Sequence, residues 1–80
     1  MNNNPDIEQI VKDMTEAAKE FYKDPKAERN IQKCIKHRDF LQELYNKVIP
    51  NTDREKEVEK ILDEAIKYFT KHITRLARYH

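Results

Sequence analysis

Apolar residues recur every three or four positions along three stretches of the chain, which is the spacing that one face of an α-helix requires. The pattern predicts helices over residues 5–23, 25–49 and 53–79. Each apolar stripe is wider than a coiled-coil seam, so we expect each helix to lie against a shared core. The stripes consist of Ile7, Ile10, Val11, Met14, Ala17, Ala18 and Phe21; Ala27, Ile31, Cys34, Leu41, Tyr45 and Val48; and Val58, Ile61, Leu62, Ala65, Ile66, Phe69, Ile73, Leu76 and Ala77.

Prolines and capping residues set the predicted helix ends, because the chain has no glycine to end a helix in the left-handed conformation. Asn4-Pro5-Asp6 is typical of a helix start, with a cap, a proline at the first helical position and an acid in the first turn. Asp24-Pro25 ends the first helix and caps the second, and Pro50 ends the second. Thr52 to Glu55 has the pattern of a capping box.

Two short connections between three amphipathic helices predict an all-α fold, an up-down-up antiparallel three-helix bundle. We expect one domain over residues 1–80, with residues 1–4 as a disordered tail. The third helix, at roughly 40 Å, is longer than the first, at roughly 29 Å. Its last turns, residues 71–80, are therefore expected to project past the bundle while still carrying apolar residues. Dimerisation into a larger bundle is one explanation, and fraying of the last turn is the other.

Composition excludes several kinds of site. Phosphate-binding loops, dinucleotide-binding turns and nucleophile elbows all require glycine, and this chain has none. The single cysteine cannot form an intrachain disulfide, and it favours a reducing, cytoplasmic location. The longest apolar runs are two residues, so we expect no transmembrane segment.

The formal net charge of +1 hides four alternating blocks. Residues 1–25 carry −3, residues 26–49 carry +3, residues 50–64 carry −3 and residues 65–80 carry +4. Part of this order is structural, since acids at the start and bases at the end of the third helix complement its dipole. The last block has no acid, and it interleaves basic residues with tyrosines and histidines, so it is the best candidate for a binding surface.

These observations predict a small non-enzymatic protein, of a regulatory, inhibitor or immunity type, that binds a protein partner and can also form a homodimer. No cofactor is expected. A closed metal site would need Cys34 and all three histidines, but His72 and His80 are roughly 12 Å apart along one helix. The predicted partner-binding residues are four in the basic segment and three apolar ones on the second helix: Lys71, Arg75, Arg78 and Tyr79, with Phe40, Leu44 and Ile49.

The alternative prediction is a nucleic-acid-binding protein that uses the basic segment from Lys67 to His80, with aromatic residues stacking on bases. Four to six phosphate contacts make a modest electrostatic footprint, and the whole chain is close to neutral. We therefore rank this function second.

The six residues from Arg75 to His80, Arg-Leu-Ala-Arg-Tyr-His, resemble the R-x4-6-H motif of the HEPN family of helical ribonucleases. In that family the arginine and histidine of two protomers meet at a dimer interface and cleave RNA. The resemblance implies, as a minor alternative, a ribonuclease with Arg75 and His80 as its catalytic pair. Leu76 departs from the motif, which usually has a polar residue after the arginine.

Overall fold

A computed structural model describes residues 6–79 as three α-helices: α1 (Ile7–Tyr22), α2 (Ile31–Lys47) and α3 (Asp53–Arg78). A single 3₁₀ turn, Ala27–Arg29, lies in the connection between α1 and α2. The helices run up, down and up in a bundle of 48 × 21 × 18 Å, which confirms the predicted all-α three-helix architecture. The predicted N-terminal tail, the Asn4-Pro5 helix start and His80 lie outside the described residues.

Side-chain caps begin all three helices, as expected for a chain without glycine. Asp6 accepts a hydrogen bond from the Glu8 amide, Asn30 accepts one from the Lys33 amide, and Thr52 forms the predicted capping box with Glu55. No residue within 6–79 has a positive φ angle. The helices therefore begin at side-chain caps, and within residues 6–79 none of them ends at a left-handed residue.

The predicted start of the second helix at residue 25 is wrong by six residues. Asp24 accepts from the amide of Lys26 and pairs with Lys33, while Asn30 provides the cap of α2. The intervening 3₁₀ turn is anchored from inside, because the buried Cys34 thiol donates to the carbonyl oxygen of Ala27, with 3.6 Å between sulfur and oxygen. The local cap at Asn30 and this tertiary anchor together replace the first predicted turns of the helix.

This longer connection also corrects the prediction that α3 projects from residue 71 onward. His72 donates from Nε2 to the carbonyl oxygen of Glu28, and Leu76 lines the same cavity as Pro25 and Arg29. Ile73 and Leu76 pack against the core. Residues 23–30 thus reach the apolar face of α3 as far as Leu76, whereas Ala77 and Tyr79 beyond it are exposed, Tyr79 at 83%.

α2 and α3 form the largest helix–helix interface, and α1 packs against the pair along a smaller one. Leu41, Leu44, Val58 and Leu62 are at most 2% exposed between α2 and α3. On α1 only Ile10 and Phe21 are buried, whereas Ala17 and the other apolar residues of its stripe are partly exposed. In residues 6–79, no helix is long and apolar enough to cross a lipid bilayer.

Replacing Leu62, which is fully buried, with alanine is expected to lower the free energy of unfolding by about 3 kcal/mol, because a core cavity remains. The matched control is Ile61→Ala on the adjacent residue, which is 43% exposed and should cost less than about 1 kcal/mol. Urea unfolding followed by circular dichroism measures both. Equal losses would contradict the assigned face of α3.

Candidate functional site

The residues predicted to bind a partner do not form one surface. Lys71, Arg75, Arg78 and Tyr79 are exposed on the last turns of α3, whereas Ile49 lies in the α2–α3 connection at the other end of the bundle. The 22 residues of α3 between Asp53 and Arg75 separate these two places by roughly 33 Å. A partner that contacts the basic segment is therefore far from Ile49.

Two of the predicted apolar contacts on α2 have different outcomes. Leu44 is 1% exposed and belongs to the core, so its prediction as a contact residue is wrong. The broad apolar pattern of α2 did not distinguish the face toward α3 from the face toward solvent. Phe40 is 36% exposed and lines a groove between α1 and α2.

An aromatic cluster sets the axial alignment of the three helices. The His37 ring stacks on Phe21, with ring centroids 4.8 Å apart, and meets the edge of Phe69 at 4.9 Å. Phe21 and Phe69 also meet edge to face at 5.4 Å. One helical turn away on each helix, Ala17, Leu41 and Ala65 must therefore lie at one level, which divides the bundle into two halves.

This alignment places most basic residues in one half of the bundle and most acidic residues in the other. The half made of residues 17–40 and 66–79, which we call the basic end, has 11 Lys and Arg against 4 Asp and Glu. The half made of residues 6–16 and 41–65, the acidic end, has 5 Lys and Arg against 11 Asp and Glu. The ends thus carry formal charges of +7 and −6 in a molecule 48 Å long. The fold thus gathers the four alternating charge blocks of the sequence into one positive end and one negative end, which gives the molecule a strong electric dipole.

Ion pairs neutralise only part of the basic end. Lys33 pairs with Asp24 at 2.7 Å, Lys23 with Glu20 at 3.1 Å, Arg38 with Asp39 at 3.1 Å and Lys67 with Asp63 at 3.0 Å. Within residues 6–79, the other seven cations of this end make no ion pair: Lys19, Lys26, Arg29, Lys36, Lys71, Arg75 and Arg78. These cations are available to an anionic partner.

A cavity of about 380 Å³, lined by both apolar and polar residues, lies at the basic end between the α1–α2 connection and α3. The Glu28 carboxylate accepts from the Tyr68 hydroxyl at 3.5 Å. Partial burial, together with the hydrogen bond and the charge of Glu28, raises the pKa of Tyr22. His72 stacks on Tyr68 and donates to the backbone of Glu28. The cluster joins the α1–α2 connection to α3.

The groove between α1 and α2 has a volume of about 420 Å³ and a mostly apolar lining. Phe21 and His37 contribute to its lining, and Phe40 lies on the α2 side. Polar residues line it too: Glu20 on α1, with Lys33 and Lys36 on α2. Sequence reasoning missed this groove, because the contact of α1 with α2 that forms it is tertiary.

His37 is the one buried polar residue among those the structure describes, and its burial lowers its pKa from the ordinary value of 6.5. At about pH 8 and above, well over the ordinary pKa of 6.5, both the folded and unfolded states hold a neutral ring. Below that pH the unfolded state takes up a proton more readily than the folded state, so stability falls with decreasing pH. We therefore expect the free energy of unfolding to decrease as pH falls from about 6.5 to about 5.

Denaturant titrations of the wild type and of His37→Phe across this range measure the effect. The variant lacks the titrating ring and should lose most of the decrease. Since unperturbed carboxylates titrate near pH 4, they contribute little in this window. A slope that persists unchanged in His37→Phe would contradict the assignment.

The site thus consists of the basic end and, between its first two helices, the α1–α2 groove. Arg75, one member of the arginine–histidine pair that the HEPN resemblance suggests, is exposed on this end, while His80 lies outside the described residues. Comparison with known proteins finds no family model, no curated protein and no solved structure that matches the chain.

Proposed function

We propose that this chain is a small non-enzymatic binding protein that docks its basic end onto an acidic surface of another protein. The observation that supports the proposal best is the charge of +7 on one half of the bundle, where seven cations make no ion pair with any residue that the structure describes. A surface of one sign attracts a partner of opposite charge, raises the association rate and orients the encounter.

Aromatic side chains give this surface a further contact. Tyr68 is 49% exposed and Tyr79 is 83% exposed, and helical periodicity sets both on the same side of α3 as Arg75. Tyrosine and arginine are over-represented among the residues that dominate binding energy at protein interfaces. A regulatory or inhibitory role fits a protein of this kind, because its helix surfaces are what it offers to a partner.

A protein partner suits this charge distribution better than a nucleic acid. A long polyanion that lay along the bundle would meet the acidic end, with its charge of −6, after less than 48 Å. A folded protein with a local acidic patch meets only the basic end. We further propose a cytoplasmic location, which a chain with one unpaired cysteine favours.

Nucleic-acid binding is the second candidate, and the row formed by Tyr68, Arg75 and Tyr79 favours it. These residues are seven and four positions apart on α3, so two exposed rings flank a guanidinium. Exposed rings among cations are the features with which proteins stack unpaired bases. Single-stranded RNA docked end-on against this row would avoid the acidic end.

The double variant Arg75→Glu/Arg78→Glu tests the basic end as a surface for acidic polypeptides. We expect it to weaken binding of a fluorescent poly-L-glutamate peptide at about 50 mM salt by tenfold or more, since it reverses two charges of the basic end that make no ion pair within residues 6–79. The matched control is Lys56→Glu/Lys60→Glu, which changes the net charge equally on the same helix but in the acidic end. Equal weakening by both variants would contradict a localised surface.

A single-stranded RNA of equal formal charge, measured by the same anisotropy assay, separates the two candidate functions. The protein-binding proposal expects RNA to bind no more tightly than poly-L-glutamate. Tighter RNA binding, with a log–log salt slope of about −3 to −5, would overturn it in favour of the nucleic-acid function. Absence of binding to both probes at about 50 mM salt would overturn both.

A further inference from the structure

The α1–α2 groove has opposite features on its two sides. The α1 side carries a small residue, Ala17, and an acid, Glu20. The α2 side carries a large residue, Phe40, and a base, Lys36. A small residue on one side of the groove thus lies opposite a large residue on the other, and an acidic residue lies opposite a basic one, on two helices that run in opposite directions.

The positions of these residues along the bundle axis make the groove complementary to the same groove of a second copy that is rotated by 180°. Since Phe21 is level with His37, antiparallel α1 and α2 place Ala17 within about two residues of the level of Phe40. By the same count Glu20 lies within about 3 Å of the level of Lys36. Rotation by 180° about an axis along the groove exchanges the sides and keeps the levels. It brings Phe40 over Ala17 of the rotated copy, and Lys36 over its Glu20.

We propose that the α1–α2 groove binds the same groove of a second copy of this chain, giving a parallel two-fold dimer. Such an interface is isologous, so each contact occurs twice. Phe40 of each protomer fills the space above Ala17 of the other, and two Lys36–Glu20 pairs flank these contacts. The dimer also covers Ala17, which is partly exposed in the single chain.

The charged groups of the groove are free to make these contacts. Lys36 makes no ion pair within residues 6–79. Glu20 pairs with Lys23 at 3.1 Å, but both side chains are more than 70% exposed. Exposed pairs of this kind contribute little, so Glu20 can exchange its partner at small cost. Lys33 also lines the groove, and its Nζ pairs with Oδ2 of Asp24 at 2.7 Å.

The two-fold axis sets the two basic ends side by side at the same end of the dimer. Because the groove lies in the basic end, Lys33 and Lys36 of the two protomers come close together; each Lys36 is offset by the facing Glu20, and each Lys33 by its own Asp24. Charges elsewhere on the two ends are about one bundle width apart, near 20 Å, which exceeds the Debye length of about 8 Å at physiological salt, so their repulsion is largely screened. A partner with two acidic patches, or a dimeric partner, would then gain from simultaneous contact with both ends. The dimer itself does not depend on the proposed function.

Sedimentation equilibrium at about 0.15 M salt tests the dimer. We expect a mass of twice 9.7 kDa for the wild type at high micromolar concentration. The single variants Glu20→Lys and Lys36→Glu each place like charges opposite one another and should raise the dimer dissociation constant by tenfold or more. Lys60→Glu, the same change in the acidic end, should leave it unchanged. A monomeric wild type, or equal masses for all variants, would overturn the proposal.

Mixing the two single variants gives a test that loss of folding cannot imitate. A chain with Glu20→Lys carries lysine at both positions, and a chain with Lys36→Glu carries glutamate at both. Across the proposed axis every pair in the mixed dimer joins a lysine to a glutamate. We expect the mixture to recover dimer mass while each variant alone remains monomeric. A mixture that stays monomeric while the wild type dimerises would exclude this axis.

Discussion

The structure depends on the contact of three rings, Phe21, His37 and Phe69, one from each helix. Stacked and edge-to-face packing holds these rings within 5.4 Å of one another and so fixes the axial position of every helix. An amphipathic helix alone leaves that position free, because its apolar stripe continues along its whole length. Once the axial positions of the helices are fixed, the position of every charged residue along the bundle axis is fixed as well. Both the basic end and the self-complementary levels of the groove result from this one cluster.

The use of a histidine in this cluster has a physical consequence. A phenylalanine would fill the same space without a titratable group, whereas His37 is held with a lowered pKa because burial penalises its charged form. The ring also lines the α1–α2 groove, so the packing of α1 and the surface of the groove depend on the same side chain. Stability near neutral pH and the shape of a candidate interface are thereby linked.

Much of the fold followed from local chemistry. The three apolar stripes predicted three helices, and the Thr52 capping box and the proline at residue 50 gave the α2–α3 connection to within about two residues. The α1–α2 connection was wrong because a tertiary contact competes with the local pattern there. The thiol of Cys34 and the buried Ala27 stabilise a 3₁₀ turn where spacing and proline favoured a helix start. The prediction that α3 projects from residue 71 onward was wrong for the same reason, since the α1–α2 connection bonds to His72 and lines a cavity with Leu76.

The sequence by itself determined the number and faces of the helices, their caps and the alternating order of charges, because each of these depends on neighbours within about one helical turn. It also determined that Arg75, Arg78 and Tyr79 occupy exposed positions near the end of a helix. Only the tertiary structure decided which charges stand together, that Leu44 is buried and that Phe40 borders a groove. Those properties depend on how far each helix slides and rotates against the others. Side-chain packing between helices sets these two variables, and no periodicity along one helix encodes them.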